Sequence, residues 1–202
     1  QLDERKMTMK RIILMLGLIL ALGATGAMAQ TANTQEAVTK EQRRMLKQER
    51  KAIQAQIDSM LAAEAWQAIA DTSFTLEADQ VAFKDGSIAY VNSNTNFVSV
   101  NHDNAVVQVA FNVPFPTPNG IGGVTLLGKV QNMRVTTDKK GSVNIRMNVV
   151  GIGISAQVFI NMFAGTNRAS VDIIPNFNSR RLTLRGILMP SKKSSVYQGW
   201  GI

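Results

Sequence analysis

Between Phe74 and Leu188 apolar and polar residues take turns along most of the chain, and the alternation breaks only at clusters of turn formers. Phe74, Leu76 and Ala78 alternate with Thr75, Glu77 and Asp79, and Ala105, Val107, Val109, Phe111 and Val113 hold one face of a longer run. Val143, Ile145, Met147 and Val149 do the same, followed by Ile154 to Met162, Ala169 to Ile173 and Leu182 to Leu188. Successive side chains of a strand point to opposite faces, so a period of two predicts strands with one buried face. Asp85-Gly86, Asn92 to Thr95, Asn101 to Asn104, Thr137 to Gly141, Gly151 to Gly153 and Gly165 to Asn167 are turn signals between these runs. In the run that begins at Val124 the apolar phase slips by one residue between Val130 and Met133, which predicts a β-bulge. About nine or ten strands at hairpin spacing, with no helical crossover, predict a mostly β chain. Its expected form is an antiparallel up-and-down meander closed into a lipocalin-like or half-open barrel, with a β-sandwich as the alternative.

Upstream the period changes. Leu46, Ile53, Ile57, Met60, Leu61 and Glu64 or Ala65 share one helical face that Ile69 continues, with Lys40, Arg43, Arg44, Lys47, Arg50 and Lys51 on the others. Thr39-Lys40-Glu41-Gln42 fits a capping box with Thr39 as N-cap. One amphipathic helix is therefore expected over 39–71, ahead of an antiparallel β domain over 72–202, with 30–38 as a disordered leader. The second half of the helix, including Trp66, is expected to cover an edge or end of the sheet. The partly apolar second face around Phe159 and Phe163 is where it should lie. A solvated spacer and a helix lying on an anionic membrane are the other readings.

The first residues read as an address. Lys10 and Arg11 precede an apolar run from Ile12 to Leu22, and Ala27-Met28-Ala29 is an A-x-A cleavage site, so 1–29 comprise a signal peptide and a few upstream residues, with Met7 or Met9 as the start. Retention as an anchor is disfavoured, because the second half of the run is Gly, Ala and Thr. Export to the periplasm follows, with secretion as the alternative. Cysteine is absent, which excludes disulfides, cysteine-based zinc sites, a cysteine nucleophile and lipidation at an N-terminal Cys. The net charge is +8, of which +6 remains once the four basic and two acidic residues of 1–29 are removed. For an exported protein such a charge points to anionic membrane or glycan rather than nucleic acid.

The chemistry on offer is thin. Gly151-Ile152-Gly153-Ile154-Ser155-Ala156 has the G-x-G-x-x-A pattern of a dinucleotide site, but the residues after it alternate like a strand where that motif needs a helix. His102 is the sole histidine and falls in a polar turn, so a multi-histidine metal site is excluded. Glu77 and Asp79 would lie about 7 Å apart on one strand face, on its polar side, and read as solvated rather than as a glycosidase pair. No catalytic residue, cofactor or metal site is assigned. Two candidate surfaces remain. Phe115, Asn119, Gly120, Ile121, Gly122 and Gly123 belong to a Pro- and Gly-rich loop, with Phe115 and Ile121 as exposed apolar residues that a ligand or partner would meet. Arg180, Arg181, Arg185, Lys192 and Lys193 form a basic C-terminal stretch for an anionic surface. Val196, Tyr197 and Trp200 of the tail are placed to dock back on the sheet.

Asn96-Phe97-Val98-Ser99-Val100, Asn119 to Thr125 with Gly128, Gly141, Gly151 to Ala156, Leu182 to Gly186 with Pro190, and Val196 to Gly199 together resemble the DUF4251 family, a domain of unknown function from the Bacteroides group. The likeness spans about Lys47 to Gly199. It implies an exported, β-rich protein and carries over no catalytic residues. The function expected is a non-enzymatic, monomeric module that binds an envelope ligand or partner. A structural or protein-interaction component is the alternative, and an enzyme acting on glycan or lipid ranks third.

Overall fold

The computed structural model describes residues 28–83, 86–110, 117, 119–176 and 181–201, with 28–39 described by backbone alone. Among the described residues a helix, α1 (Met28–Ala70), precedes nine strands: β1 (Ser73–Ala82), β2 (Ile88–Tyr90), β3 (Phe97–Asn101), β4 (Asn104–Ala110), β5 (Gly123–Thr137), β6 (Val143–Val150), β7 (Ser155–Met162), β8 (Arg168–Pro175) and β9 (Leu182–Pro190). From β3 to β9 each strand pairs antiparallel with the next in sequence. The circle closes where β1 pairs with β9 from Phe74↔Pro190 to Ala82↔Thr183. The other edge of β1 is divided: Ser73–Glu77 pair with β3, and Gln80–Ala82 pair with the short β2. The product is an eight-stranded closed barrel with β2 as an extra strand. Closure pairs most strand edges around the ring, which is how such a meander limits edge-to-edge association, while Gln131–Thr137 of β5 pair with β6 and run on past the register with β4.

Alternation decided the inside. Phe74, Leu76, Val100, Val107, Leu126, Ile145, Met147, Val158, Ile160, Val171, Leu184 and Leu188 form one buried cluster. An eight-stranded barrel has an interior just wide enough for side chains to fill or for one small ligand. The predicted bulge is present: the β5–β6 register shifts between Gln131 and Arg134, and Asn132 sits at φ 53°. A second bulge, between Ala78 and Gln80, lies on the closing seam. There Gly186 is required by close approach, since a Cβ would stand 1.8 Å from the Glu77 carbonyl oxygen.

Residues 1–50 and 51–202 are separate compact units. In the first, the helix already runs from Met28, so the segment expected as a disordered leader is helical and Thr39 lies inside the helix rather than capping it. Gln30 to Val38 contain neither Gly nor Pro, and nothing in them stops a helix propagating. In the second, only the last turns of α1 pack: Ala65, Ala68 and Ile69 are buried in the barrel cluster. Ile53, Ile57, Met60, Leu61 and Trp66 remain 39–73% exposed. The expected broad packing face is therefore a short stripe at i, i+3 and i+4. Nor does the helix lie on the Phe159 face. Phe159 points outward and is covered by the Arg146 guanidinium, 5.2 Å from its ring centre, while Phe163 is 46% exposed. Small alanines let the end of the helix pack closely against the barrel cluster.

Candidate functional site

The strands leave two unlike ends. At one, Ala65, Ala68 and Ile69 close the interior. At the other lies a half-enclosed apolar cavity of about 220 Å³, bounded by Val107, Val109, Leu126, Ile154, Ala156 and Leu182, with Gly123, Val124, Ile173 and Pro175 completing its wall. These are the last residues of β4 and β8 and the first of β5, β7 and β9, so a single end of the barrel supplies them all. The pairs Val109↔Val124 and Val107↔Leu126 place four apolar side chains on the inner face there. No polar side chain is among the lining residues. Such a space favours an apolar group and gives water few partners.

Beside this end the Gly-rich segment folds around one carboxamide. Asn119, 1% exposed, accepts at Oδ1 from the Ile121 and Gly123 amides, 3.1 and 2.9 Å away. Its Nδ2 donates to the Val109 carbonyl and to Thr125 Oγ1. Thr117 Oγ1 accepts from the Gly122 and Gly123 amides. Gly120 and Gly122 take φ values of 74° and 95°, where a side chain is strained. Gly123 lies so close to β4 that a Cβ would stand 1.9 Å from the Val109 oxygen. The glycines thus make a tight corner, and Asn119 satisfies the amides that the corner turns inward.

The C-terminal tail completes that corner from outside the barrel. Gln108, fully buried, donates from Nε2 to the Tyr197 and Thr95 carbonyls at 2.7 and 3.0 Å. Its Oε1 accepts from Thr125 Oγ1 and the Gly199 amide, both at 2.8 Å. The Tyr197 amide donates to the Asn94 carbonyl and the Trp200 amide to the Asn119 carbonyl. The tail docks as expected, but through its backbone and Gly199. Tyr197 and Trp200 keep 63% and 79% of their surface exposed. Glu77 is drawn into the same wall: it is 8% exposed and accepts from Ser194 Oγ and the Ser195 amide. It is not the solvated acid expected from alternation, because the tail covers its face and the bulge after Ala78 displaces Asp79. Among the described residues no buried side-chain polar atom lacks a partner.

The loop residues singled out from sequence are accordingly scaffold for the cavity end. Asn119 is a buried hub, Gly123 lines the cavity, and Ile121 is half-buried, within 3.1 Å of where a Gly199 Cβ would stand, rather than exposed. Phe115 and Arg180 lie outside the described residues. The basic stretch does not gather. Arg181 stands before β9, 3.8 Å from Asp172. Arg185 sits in mid-strand, and Lys192 and Lys193 follow the far end, where Lys193 pairs with Glu64 at 2.6 Å. Nine strand residues separate the two ends, roughly 30 Å at strand rise. Gly151-Ile152-Gly153 is a turn that runs straight into β7, without the helix that dinucleotide binding needs. His102 is exposed in its turn, its Nδ1 2.8 Å from Asn101 Oδ1. No cluster of three metal-ligating side chains occurs among the described residues. What sequence reasoning missed is the cavity itself, whose lining residues look like any other strand-end valines and alanines.

No match is found among curated proteins. A solved structure, the crystal structure of a DUF4251 family protein from Bacteroides eggerthii DSM 20697, is similar: 48% identity, 69% of this chain and 94% of that chain covered, TM-score 0.62. The model of the domain of unknown function DUF4251 matches residues 56–188, from within α1 to near the end of β9. The chain therefore belongs to the DUF4251 family, an uncharacterised family with a β-barrel fold.

Proposed function

We propose that this protein is an exported, non-enzymatic binding module that holds the apolar end of a small ligand in the open end of its barrel. The observation that carries the reading is the cavity of about 220 Å³ with a wholly apolar side-chain lining. It is larger than the roughly 150 Å³ engineered cavity that admits benzene, and smaller than the roughly 300–1,000 Å³ of sites that enclose a drug-sized ligand. A short acyl chain or single ring fits, with the polar remainder of the ligand left outside. Calorimetric titration of the full chain with octanoate and 1-octanol tests this. Binding is expected for the native protein and its loss in Ala156→Phe, which fills the cavity, with Val124→Phe as a second filling variant. Absence of binding, or equal binding in the folded filled variants, removes the proposal.

Export rests on Lys10-Arg11, the apolar run from Ile12 and Ala27-Met28-Ala29. Among the described residues no helix is long and apolar enough to cross a membrane. Cell fractionation with N-terminal sequencing tests the address: a periplasmic or secreted protein beginning at Gln30 supports it, and a cytoplasmic protein with an uncut leader overturns it. A second reading, an interaction component of the envelope, is favoured by Ile53, Ile57 and Met60, apolar residues that α1 leaves 44–73% exposed. Light scattering and co-purification test it, since a monomer with no captured partner counts against it.

A further inference from the structure

The outer wall of the barrel carries a charge arrangement that the fold does not need. Cross-strand register places Arg134 opposite Arg146, Arg146 opposite Phe159, and Phe159 opposite Asp172. Like charges directly opposite one another destabilise a strand pair, and this surface position would have accepted almost any polar residue. Neither arginine has an ion pair among the described residues. The acid in the row, Asp172, is two strands from Arg146, roughly 10 Å at sheet spacing, and it is already held by Arg181 and the Thr183 hydroxyl. Phe159 fixes the Arg146 guanidinium over its ring, which limits its freedom to swing away from Arg134. Next to this row, Asn161 Nδ2 donates to Asn144 Oδ1 at 2.7 Å. That leaves Asn144 Nδ2 and Asn161 Oδ1 to face an incoming group. The two rows border a half-enclosed groove of about 360 Å³ that also takes in Thr136 and Ser170.

We infer that this groove binds an acidic saccharide, with its oxyanion between Arg134 and Arg146 and its hydroxyls on Asn144 and Asn161. Two guanidinium forks match a carboxylate or sulfate geometrically, and carboxamides offer a donor and an acceptor to neighbouring hydroxyls. The wall differs from a membrane-docking surface. Its groove holds an acid and two carboxamides instead of a lysine field around inserted apolar side chains. The site lies on the outside of β5 to β8, distinct from the apolar cavity, and does not depend on it.

The test uses the full chain and four probes: an oligogalacturonate, a sulfated oligosaccharide of equal length, a neutral glucan of equal length, and phosphatidylglycerol vesicles. The uronate and sulfate arms distinguish the two sources of oxyanion. Arg134→Gln/Arg146→Gln is compared with Lys51→Gln/Lys192→Gln, which removes the same charge elsewhere. At least one acidic oligosaccharide is expected to bind and the neutral glucan not. The arginine pair variant should weaken binding about tenfold or more, as expected for lost charge-assisted bonds, while the lysine pair variant changes it less than about twofold. The arginine pair variant should keep its thermal stability nearly unchanged, because relief of the like-charge pair offsets loss of the Arg146–Phe159 contact. The inference is overturned if no acidic oligosaccharide binds, if both variants weaken binding equally, or if only the vesicles bind.

Discussion

Replacing Gln108 by leucine removes a carboxamide whose hydrogen-bonding capacity is fully used while keeping nearly the same volume. The side chain has no solvent exposure and makes four bonds, to the Thr95 and Tyr197 carbonyls, the Thr125 hydroxyl and the Gly199 amide. Thr125 Oγ1 also accepts from Asn119, so Thr117, Asn119, Thr125, Gln108 and Tyr197 form one directed chain of donors. Each bond contributes about 1 kcal/mol net, and each partner left buried and unpaired costs about 1–3 kcal/mol. Four orphaned partners would sum to more than the tail can bear. The tail therefore lifts so that water reaches them, which limits the loss in global stability to about 3 kcal/mol. For a domain of this size that is roughly 6–12 °C in Tm. Urea unfolding measures the global term, and hydrogen exchange at Tyr197, Gly199 and Trp200 reports whether the tail has left. Leucine tolerated within about 0.5 kcal/mol, with those amides as protected as in the native protein, would refute the account of the tail as a strap held by Gln108.

The closing seam and the β5–β6 turn supply two more expectations. Gly186→Ala places a methyl group 1.8 Å from the Glu77 carbonyl oxygen, so β1 and β9 must part locally, at about 2–3 kcal/mol. Urea unfolding of the variant checks this, and an unchanged midpoint would show that the seam yields without strain. Asp138 is held below the ordinary carboxylate range, first by the Ser142 amide and then by the Lys140 amide, with desolvation opposing them. Its folded pKa being lowered, the turn's bonds are complete above the ordinary value of 3.8 and fail as pH falls through the lowered one. In an NMR titration the Lys140 and Ser142 amides should shift with a midpoint below 3.8, and a midpoint at or above that value would contradict the assignment.

Strand order, inward faces and the β5 bulge were legible because each follows from a period of two and the place where it slips. The burial of Glu77 was not, because alternation reports only which face a residue takes. It cannot report that residues 194 to 199, more than a hundred positions later, will cover that face. The same blindness affected Ile121, half-buried beside Gly199, and the helix, where a stripe of six apolar residues suggested broad packing but only Ala65, Ala68 and Ile69 found the barrel.

By itself the sequence determined the family, the class of the fold and the identity of the inward-facing residues, because local spacing dictates pleat and turn. Only the tertiary structure decided that β1 would meet β9. That closure made one end a plug and the other an apolar cavity, and the bulge in β5 set Arg134 against Arg146 on the adjacent strand. Register between strands depends on chain closure and bulges, and those are summed over the whole ring rather than written at any one position.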